Sequence, residues 1–166
     1  MKRGGFIASG VAMAGLAGVL SILGFCQSDS ATQREINGIR FQVPSGYKTR
    51  NSRYPGVFVF KREEDNASAL IQVYFEHRAS AEPGSDLTQE QKEFFGLRQT
   101  GKRKATLAGH DGACIEYSLK TRYPISLAQA ECSFGTELHT SFFGTPSKMT
   151  DFYAFMQAAQ PVQRNN

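Results

Sequence analysis

The sequence predicts an α+β fold, in which a mainly antiparallel sheet of about six to seven strands carries two packed helices. Three observations lead to this prediction. Strand-like segments outnumber helical ones, most connections between them are short enough for hairpins, and no segment of about 20 to 50 residues repeats. The 166 residues suffice for one domain, and 13 phenylalanines can fill a core that has no tryptophan.

The first part of the chain is expected to direct export rather than to fold. Lys2 and Arg3 precede an uncharged apolar run over residues 6–25, and the first acidic residue is Asp29. A basic lead before an apolar run is typical of an export or membrane-insertion signal, and the basic end should stay in the cytoplasm. Residues 1–26 are therefore predicted to be a signal peptide or an N-terminal membrane anchor, and the choice between the two stays open.

The rest of the chain divides into a short polar tether at 27–36, one folded domain at 37–160 and a disordered tail at 161–166. The tether prediction is based on the polar composition of "QSDSATQREI". Three strands are expected to open the domain, each ended by turn residues. They are "IRFQV" (39–43), "GVFVFKR" (56–62) and "SALIQVYFEHR" (68–78).

The segment "DLTQEQKEFFGLRQ" predicts the first helix. Thr88 and Gln91 are spaced as a capping box, which satisfies free backbone N–H groups at a helix start. The helix is expected to end by Gly101. Three apolar residues should supply the edge that packs on the sheet: Leu87, Phe94 and Phe95.

About four strands should follow, from "RKATLAGHDGACIEYSLK", "PISLAQAECSF" and "ELHTSFFG". The last element, "PSKMTDFYAFMQAAQP", predicts an amphipathic helix. Ser147 is a candidate N-cap, and Pro161 lies just past the end. The apolar face of this helix is expected to consist of Met149, Phe152, Tyr153 and Met156.

Cys114 and Cys132 are predicted to form a disulfide across a hairpin. The only turn-like point between them is near their midpoint, Tyr123, and a bend there sets the two cysteines opposite each other, close to disulfide reach. Such a bond would persist in an oxidising compartment. Two unpaired cysteines, a zinc site and a catalytic thiol stay as alternatives, although no CxxC motif favours zinc. Modification of the third cysteine, Cys26, is left open.

No motif predicts a catalytic, cofactor or metal site. His77, His110 and His139 are scattered, and none belongs to a spaced metal motif or adjoins a nucleophile motif such as GxSxG. The turn "GHDG" could present His110 beside Asp111. A groove near these two residues and His139 is the basis of an alternative function, small-molecule binding or hydrolysis. An ordinary hairpin turn is the simpler explanation.

The charge balance gives nucleic-acid binding no support. Without Lys2 and Arg3, 17 basic residues face 15 acidic ones, and no basic stripe is interleaved with aromatic residues. The only local basic run is "RQTGKRK", whose simplest interpretation is a solvated loop between two elements. Its cations are nevertheless weak candidates for contact with a partner or an anionic surface: Arg98, Lys102, Arg103 and Lys104.

Three stretches, in this order, resemble a known family. They are "IRFQVPSGY", "LAGHDGACIEY" and "LHTSFFGTPSKMTDFYAFMQA", and they span about residues 36–159. They are similar to the opening strand and turn, the strand–turn–strand unit and the closing strand and helix of the PsbP/DcrB-like superfamily of small exported α/β/α sandwich domains. The resemblance offers no catalytic residues to carry over. It implies a non-enzymatic accessory or binding module of the cell envelope, periplasmic or anchored facing outward, that docks on a membrane complex or protein partner.

Overall fold

The computed structural model describes residues 32–50, 52–64, 68–84, 87–121 and 124–163. The predicted export segment lies outside these ranges. Within them the elements, in chain order, are β1 (Thr32–Ile36), β2 (Ile39–Val43), β3 (Lys48–Arg50), β4 (Val57–Arg62), β5 (Ala69–Phe75), α1 (Gln89–Phe94), β6 (Leu97–Leu107), β7 (His110–Leu119), β8 (Leu127–Phe134), β9 (Leu138–Gly144), a 3-10 turn (Pro146–Lys148), α2 (Met149–Gln157) and β10 (Gln160–Pro161).

Seven strands form one antiparallel sheet in the order β3-β4-β5-β9-β8-β7-β6, which confirms the predicted fold class. One face of this sheet supplies most of the core. Phe60, Ile71, Phe142 and Ala130 are cross-strand neighbours in a single row, and all four are buried. Alternate residues of the same strands point to the second face, because side chains on a strand alternate with a period of two.

A second sheet joins the two ends of the domain in the order β1-β2-β10. It corrects two predictions. Residues 32–36, assigned to the tether, pair with β2, and Pro161, assigned to the disordered tail, pairs with Ile39. The hairpin turns at Asn37 and Gly38, both with positive φ, as the Asn-Gly sequence favours. The polar composition of β1 concealed the strand, because four of its five residues are exposed and only Ile36 is buried.

Helix α2 closes the core between the two sheets. The ring of Phe155 in α2 stacks on the ring of Phe41 in β2, with centroids 5.0 Å apart. Its centroid lies 5.3 Å from that of Phe60 in β4. Phe152 and Met156 are buried as predicted. Phe155, which the predicted face did not include, is therefore the ring that joins the small sheet to the large one.

The start of α2 differs from the prediction. Ser147, the candidate N-cap, lies inside the 3-10 turn, and the α-helix begins at Met149 after Lys148. No side chain caps this start. The physical reason is the preceding 3-10 turn, whose own hydrogen bond runs from the N–H of Lys148 to the carbonyl of Thr145.

Helix α1 has the predicted start but a different end and a different environment. Thr88 and Gln91 form the capping box, with bonds of 3.2 and 2.8 Å in the two directions. The helix ends before Gly96, at φ +64°, and not at Gly101, which lies in β6 beside a bulge. No residue of α1 is buried. The expected apolar edge at Phe94 therefore does not pack on the sheet.

Strands β7 and β8 pair in the predicted register, in which Cys114 lies opposite Cys132 and Leu119 opposite Leu127. The two cysteines are buried and joined by a disulfide, with their Cα atoms 4.0 Å apart. The expected bend at Tyr123 lies outside the described residues. The disulfide thus lies on the inner face of the large sheet and joins β7 and β8, the second and third strands counted from the β6 edge.

Candidate functional site

The basic run lies on an exposed edge strand, which corrects its interpretation as a loop. Arg98, Lys102, Arg103 and Lys104 belong to β6, the last strand of the large sheet. Charged side chains are a common protection of edge strands against unwanted pairing. Neighbouring residues of a strand point to opposite faces, so the run does not form one continuous basic patch.

Arg103 points to the face that α2 covers. Its guanidinium contacts the Glu116 carboxylate at 2.7 Å and lies 4.3 Å from the centre of the Tyr153 ring. The Tyr153 hydroxyl donates a 2.5 Å hydrogen bond to the same carboxylate oxygen. Burial raises the pKa of Tyr153, and the Glu116 carboxylate raises it further. The Arg103 side chain therefore contacts both the sheet, at Glu116, and α2, at Tyr153, and helps to hold the helix on the sheet.

Lys102 points to the opposite face, where its ammonium lies 4.0 Å from the Glu82 carboxylate in the loop before α1. Lys104 shares that face. Within the described chain, the side chains of Lys104 and Arg98 form no ion pair. Of the four predicted contact residues, Arg98 is the one that lies next to α1, since β6 begins at Leu97.

The end of α1 presents two exposed aromatic rings. Phe94 is 85% exposed and Phe95 is 54% exposed, and the rings meet edge to face with centroids 5.3 Å apart. We call this pair the aromatic tip. The N–H of Lys120 donates to the carbonyl of Gly96 at 3.2 Å, which fixes the tip beside the β7 end of the sheet. A paired, solvent-facing aromatic surface is typical of contact sites.

The face of the sheet that points away from α2 contains a groove of about 400 Å³. We call it the open-face groove. It lies over the central strands β5, β9 and β8, with Arg78 and Leu87 at its rim. Its floor is formed by Gln72, Tyr74, Gln129, Glu131, Ser141 and Phe143.

Cross-strand pairing arranges the floor in rows. Ser141 of β9 lies between Gln72 of β5 and Glu131 of β8. In the next row, Phe143 of β9 lies between Leu70 and Gln129. Adjacent strands are about 4.8 Å apart, so the polar groups on β5 and β8 face each other across about two strand spacings.

Hydrogen bonds order the polar side chains of the floor. The Gln72 carbonyl oxygen accepts from the Tyr74 hydroxyl at 2.8 Å and from the Ser141 hydroxyl at 3.2 Å. The Gln129 amide donates to Glu131 at 2.7 Å. Burial raises the pKa of Tyr74, so this hydroxyl stays a neutral donor. The groove is therefore a preorganised polar surface.

The loop before α1 crosses one side of this face at a glycine. A side chain at Gly84 would meet the hydroxyl of Tyr117 at 2.5 Å, and Gly84 has φ +71°. The Tyr117 hydroxyl is buried and has no hydrogen-bond partner among the described residues. Burial and the charge of Glu131 raise its pKa. Glycine thus lets the loop approach the sheet closely.

The histidines of the alternative function do not converge. His139 is buried, with its ring nitrogens 3.1 Å from the Ser133 hydroxyl and 3.2 Å from the Thr136 carbonyl. His110 is exposed at the β6–β7 turn, and Asp111 there accepts from the Thr106 hydroxyl at 3.2 Å. A hollow lined by His110 does not include His139.

Among the described residues, no group of three or more His, Cys, Asp or Glu side chains could hold a metal ion. Nor does that part of the chain contain a helix that is long and apolar enough to span a membrane.

Neither the aromatic tip nor the groove was found from the sequence. The signal for the groove was present in the alternation of "ALIQVYF", where Leu70, Gln72 and Tyr74 occupy one face. Gln129 and Glu131 repeat the pattern in "LAQAECSF". An apolar core face with polar residues at every second position predicts a sheet whose second face remains accessible.

Comparisons with known proteins add one structural likeness. No protein-family model matches the sequence, and no curated protein matches it. Among solved structures, the chain is similar to the solution structure of cyanobacterial PsbP (CyanoP) from Synechocystis sp. PCC 6803, with 14% identity and a TM-score of 0.49. The match covers 87% of this chain and 99% of that one.

Proposed function

We propose that the chain is a non-enzymatic accessory module of the cell envelope that docks on a protein partner at the membrane through the aromatic tip. The observation that carries this proposal is the exposure of two adjacent rings, Phe94 and Phe95, on a helix that buries none of its residues. Burying a phenylalanine side chain fully contributes about 1.5–3 kcal/mol. The fold buries little of Phe94, which is 85% exposed, and about half of Phe95, which is 54% exposed, so the remaining burial free energy is available to an interface.

The surroundings of the tip indicate a partner with an apolar centre and a charged rim, in which groups of both signs are expected because Glu90 and Glu93 also lie on α1. Lys92, Arg98 and Lys120 lie next to the two rings along the chain or across the turn, and within the described residues none of them forms an ion pair. Rim charges of this kind speed association and select orientation more than they add affinity. Aromatic residues at the centre would supply most of the binding energy.

An outward-facing position at the membrane is supported by the leader and by the chain that follows it. Six residues, 26–31, separate the apolar run from the first residue of β1. Fully extended, they reach about 20 Å. If the leader is retained, the domain stays within this distance of the bilayer, close to the exposed parts of membrane complexes.

Export is also supported by the buried disulfide, because such a bond persists in oxidising compartments and is rare in reducing ones. The non-enzymatic part of the proposal is supported by the sequence, which contains no catalytic motif, and by the separate positions of His110 and His139. The Asp111 carboxylate accepts a hydrogen bond from the Thr106 hydroxyl. The hydrolytic alternative therefore has no arrangement of groups in its favour.

Site-specific photo-crosslinking tests the proposal. A crosslinking side chain at position 92, beside the intact tip, should give one discrete heteromeric product in membranes from cells that express the full chain. The double variant F94S/F95S should lose this product. Tyr54→Ser is the matched control, since Tyr54 is 75% exposed but lies between β3 and β4, at the other edge of the sheet.

Because both rings are exposed, the double variant should retain the melting temperature of the unmodified chain to within a few degrees. A crosslinked product that persists in F94S/F95S at unchanged yield would refute the assignment of this surface. A product containing only a second copy of the chain would refute the proposed accessory role.

A further inference from the structure

We infer that the open-face groove is a binding site for an uncharged ligand that carries a secondary amide, such as an N-acetylated sugar or a short stretch of peptide. The site is separate from the aromatic tip, and the inference does not depend on the docking function. It is based on the hydrogen-bonding groups that the floor of the groove leaves available.

Gln72 presents donors to the groove. Its carbonyl oxygen accepts from the Tyr74 hydroxyl at 2.8 Å and lies 3.2 Å from the Ser141 hydroxyl, which is itself 3.2 Å from the Tyr74 hydroxyl. Both hydroxyls therefore lie on the acceptor side of this amide. Its amide nitrogen has two N–H groups, and neither has a partner in the described chain. Tyr74 and Ser141 thereby hold the Gln72 amide in an orientation that directs its donors away from the polar row.

Gln129 presents the complementary acceptor. Its amide nitrogen donates to Glu131 at 2.7 Å, and its carbonyl oxygen has no partner among the described residues. Glu131 thus fixes the orientation of the Gln129 amide. Tyr74 and Ser141 do the same for the Gln72 amide. The floor offers a donor on β5 and an acceptor on β8, both preorganised by neighbours.

A secondary amide is the group that fits between such a pair. Its carbonyl accepts on one side and its N–H donates on the other, and with hydrogen bonds of about 2.9 Å the two partner atoms stand roughly 8 Å apart. Gln72 and Gln129 lie two strands apart and in adjacent rows, so their backbones are about 12 Å apart. Side chains of this length can bring their amide groups to the shorter separation over the groove. The half-buried ring of Phe143 lies on β9, between β5 and β8, where it can contact the methyl or α-carbon group of the amide.

The charges of the groove favour a neutral ligand. One carboxylate, from Glu131, lies on the floor, and one guanidinium, from Arg78, lies at the rim, 5.3 Å from the centre of the Tyr74 ring. Arg78 already contacts Glu76 at 3.0 Å and Glu131 accepts from Gln129, so neither charge calls for an oppositely charged ligand. The volume of about 400 Å³ lies within the range for small-molecule sites.

The test uses the full chain and three probes in heteronuclear NMR titrations. N-acetylglucosamine and N-acetylalanine methylamide both carry the amide, and glucose keeps the sugar ring without it. We expect at least one amide probe to shift the resonances of Gln72, Gln129 and Phe143, and glucose to bind at least tenfold more weakly. The tighter of the two amide probes identifies the source of the ligand, sugar or peptide.

Gln72→Glu separates recognition from structure, because it keeps the acceptor for Tyr74 and Ser141 and removes the two donors. This substitution should lower the affinity for the amide probe about tenfold, which is the effect of losing one hydrogen bond. Gln99→Glu is the matched control. Gln99 of β6 pairs with Tyr117 of β7, which pairs with Gln129, so Gln99 shares the sheet face but lies outside the groove. Equal binding of glucose, no binding of either amide probe, or unchanged affinity in Gln72→Glu would overturn the inference.

Discussion

Tyr153 of α2 and Glu116 of β7 are joined by a 2.5 Å hydrogen bond, and Arg103 of the edge strand contacts the same Glu116 oxygen at 2.7 Å. Three elements therefore meet at one carboxylate that is 15% exposed. Most of the contact between α2 and the sheets is apolar. This network is the polar connection between the helix and the end of the sheet that carries β6.

Tyr153→Phe should lower the free energy of unfolding by about 1–2 kcal/mol, since it removes a hydrogen bond to a charged group and leaves the ring in place. Urea unfolding monitored by circular dichroism measures this change. Tyr54→Phe is the control, because the exposed Tyr54 should tolerate the same change without effect. Equal midpoints for Tyr153→Phe and the unmodified chain would show that the bond contributes no net stability.

Alkaline pH should destabilise the domain through its buried tyrosines. Burial raises the pKa of Tyr47 and Tyr153, and the carboxylates of Asp151 and Glu116 raise them further. In the unfolded chain a tyrosine loses its proton near pH 10, whereas in the folded chain these two keep it. The unfolded state therefore binds fewer protons above pH 10, and the stability that is complete below pH 10 falls as the pH rises.

The free energy of unfolding should fall by up to about 1.4 kcal/mol per pH unit for a tyrosine whose pKa is fully shifted. The fall should be smaller for half-buried tyrosines, whose charges water screens. Urea unfolding at several values between pH 9 and pH 11 measures it. Tyr153→Phe should show a shallower slope than the unmodified chain. Parallel slopes in the two proteins would contradict the role of this tyrosine.

Loss of the Cys114–Cys132 disulfide should reduce stability by about 3 kcal/mol, the value expected for a loop of this length, with a sequence separation of 18. The double variant C114A/C132A and the unmodified chain can be compared by urea unfolding. A reductant should destabilise only the unmodified chain. Thiol titration of denatured, non-reduced protein from the cell envelope should detect Cys26 at most, and two further reactive thiols would contradict both the bond and the export.

Ile36→Ala should cost about 2–3 kcal/mol, because Ile36 is the buried residue of β1 and the substitution leaves a cavity under the small sheet. Arg34→Ala, two positions earlier on an exposed site, should change the stability by less than about 0.5 kcal/mol. Thermal unfolding of both variants provides the measurement. Similar melting temperatures for Ile36→Ala and Arg34→Ala would indicate that residues 32–36 are a tether and not a strand of the small sheet.

Gly112→Ala should be more damaging than Gly109→Ala, although both glycines lie near the same turn. A side chain at Gly112 would collide with the backbone carbonyl of Ser133 on β8, whereas Gly109 faces open space and has only its positive φ, +84°. We expect about 1 kcal/mol for Gly109→Ala and at least about 2 kcal/mol for Gly112→Ala. The urea midpoints of the two variants measure the difference in stability. Equal losses of stability in Gly109→Ala and Gly112→Ala would rule out a close approach of β7 and β8.

The elements that were predicted well are those with a strong local signal. The capping box of Thr88 and Gln91 placed the start of α1, and the symmetric positions of Cys114 and Cys132 about one turn fixed the register of β7 and β8. Both signals lie within a short stretch of chain. The seven-stranded sheet followed from the number of strands and the short connections between them.

The errors concern features that depend on residues far apart in the chain. The strand pairing of Thr32–Ile36 and of Pro161 requires β2, which pairs with the first and the last strand of the domain. The exposure of Phe94 could not be predicted, because apolar residues at helical spacing usually indicate a buried face. The open-face groove combines β5, β8 and β9, and β9 inserts between the other two only in the folded sheet.

The small sheet also determines what an attached label would report. Strand β1 enters beside Val43 and β10 leaves toward Gly38, so Thr32 and Pro161 lie at opposite ends of the five-residue strand β2, about 17 Å apart. Labels placed beside these two residues would report whether the small sheet is intact, because their separation is kept only while both strands stay paired with β2.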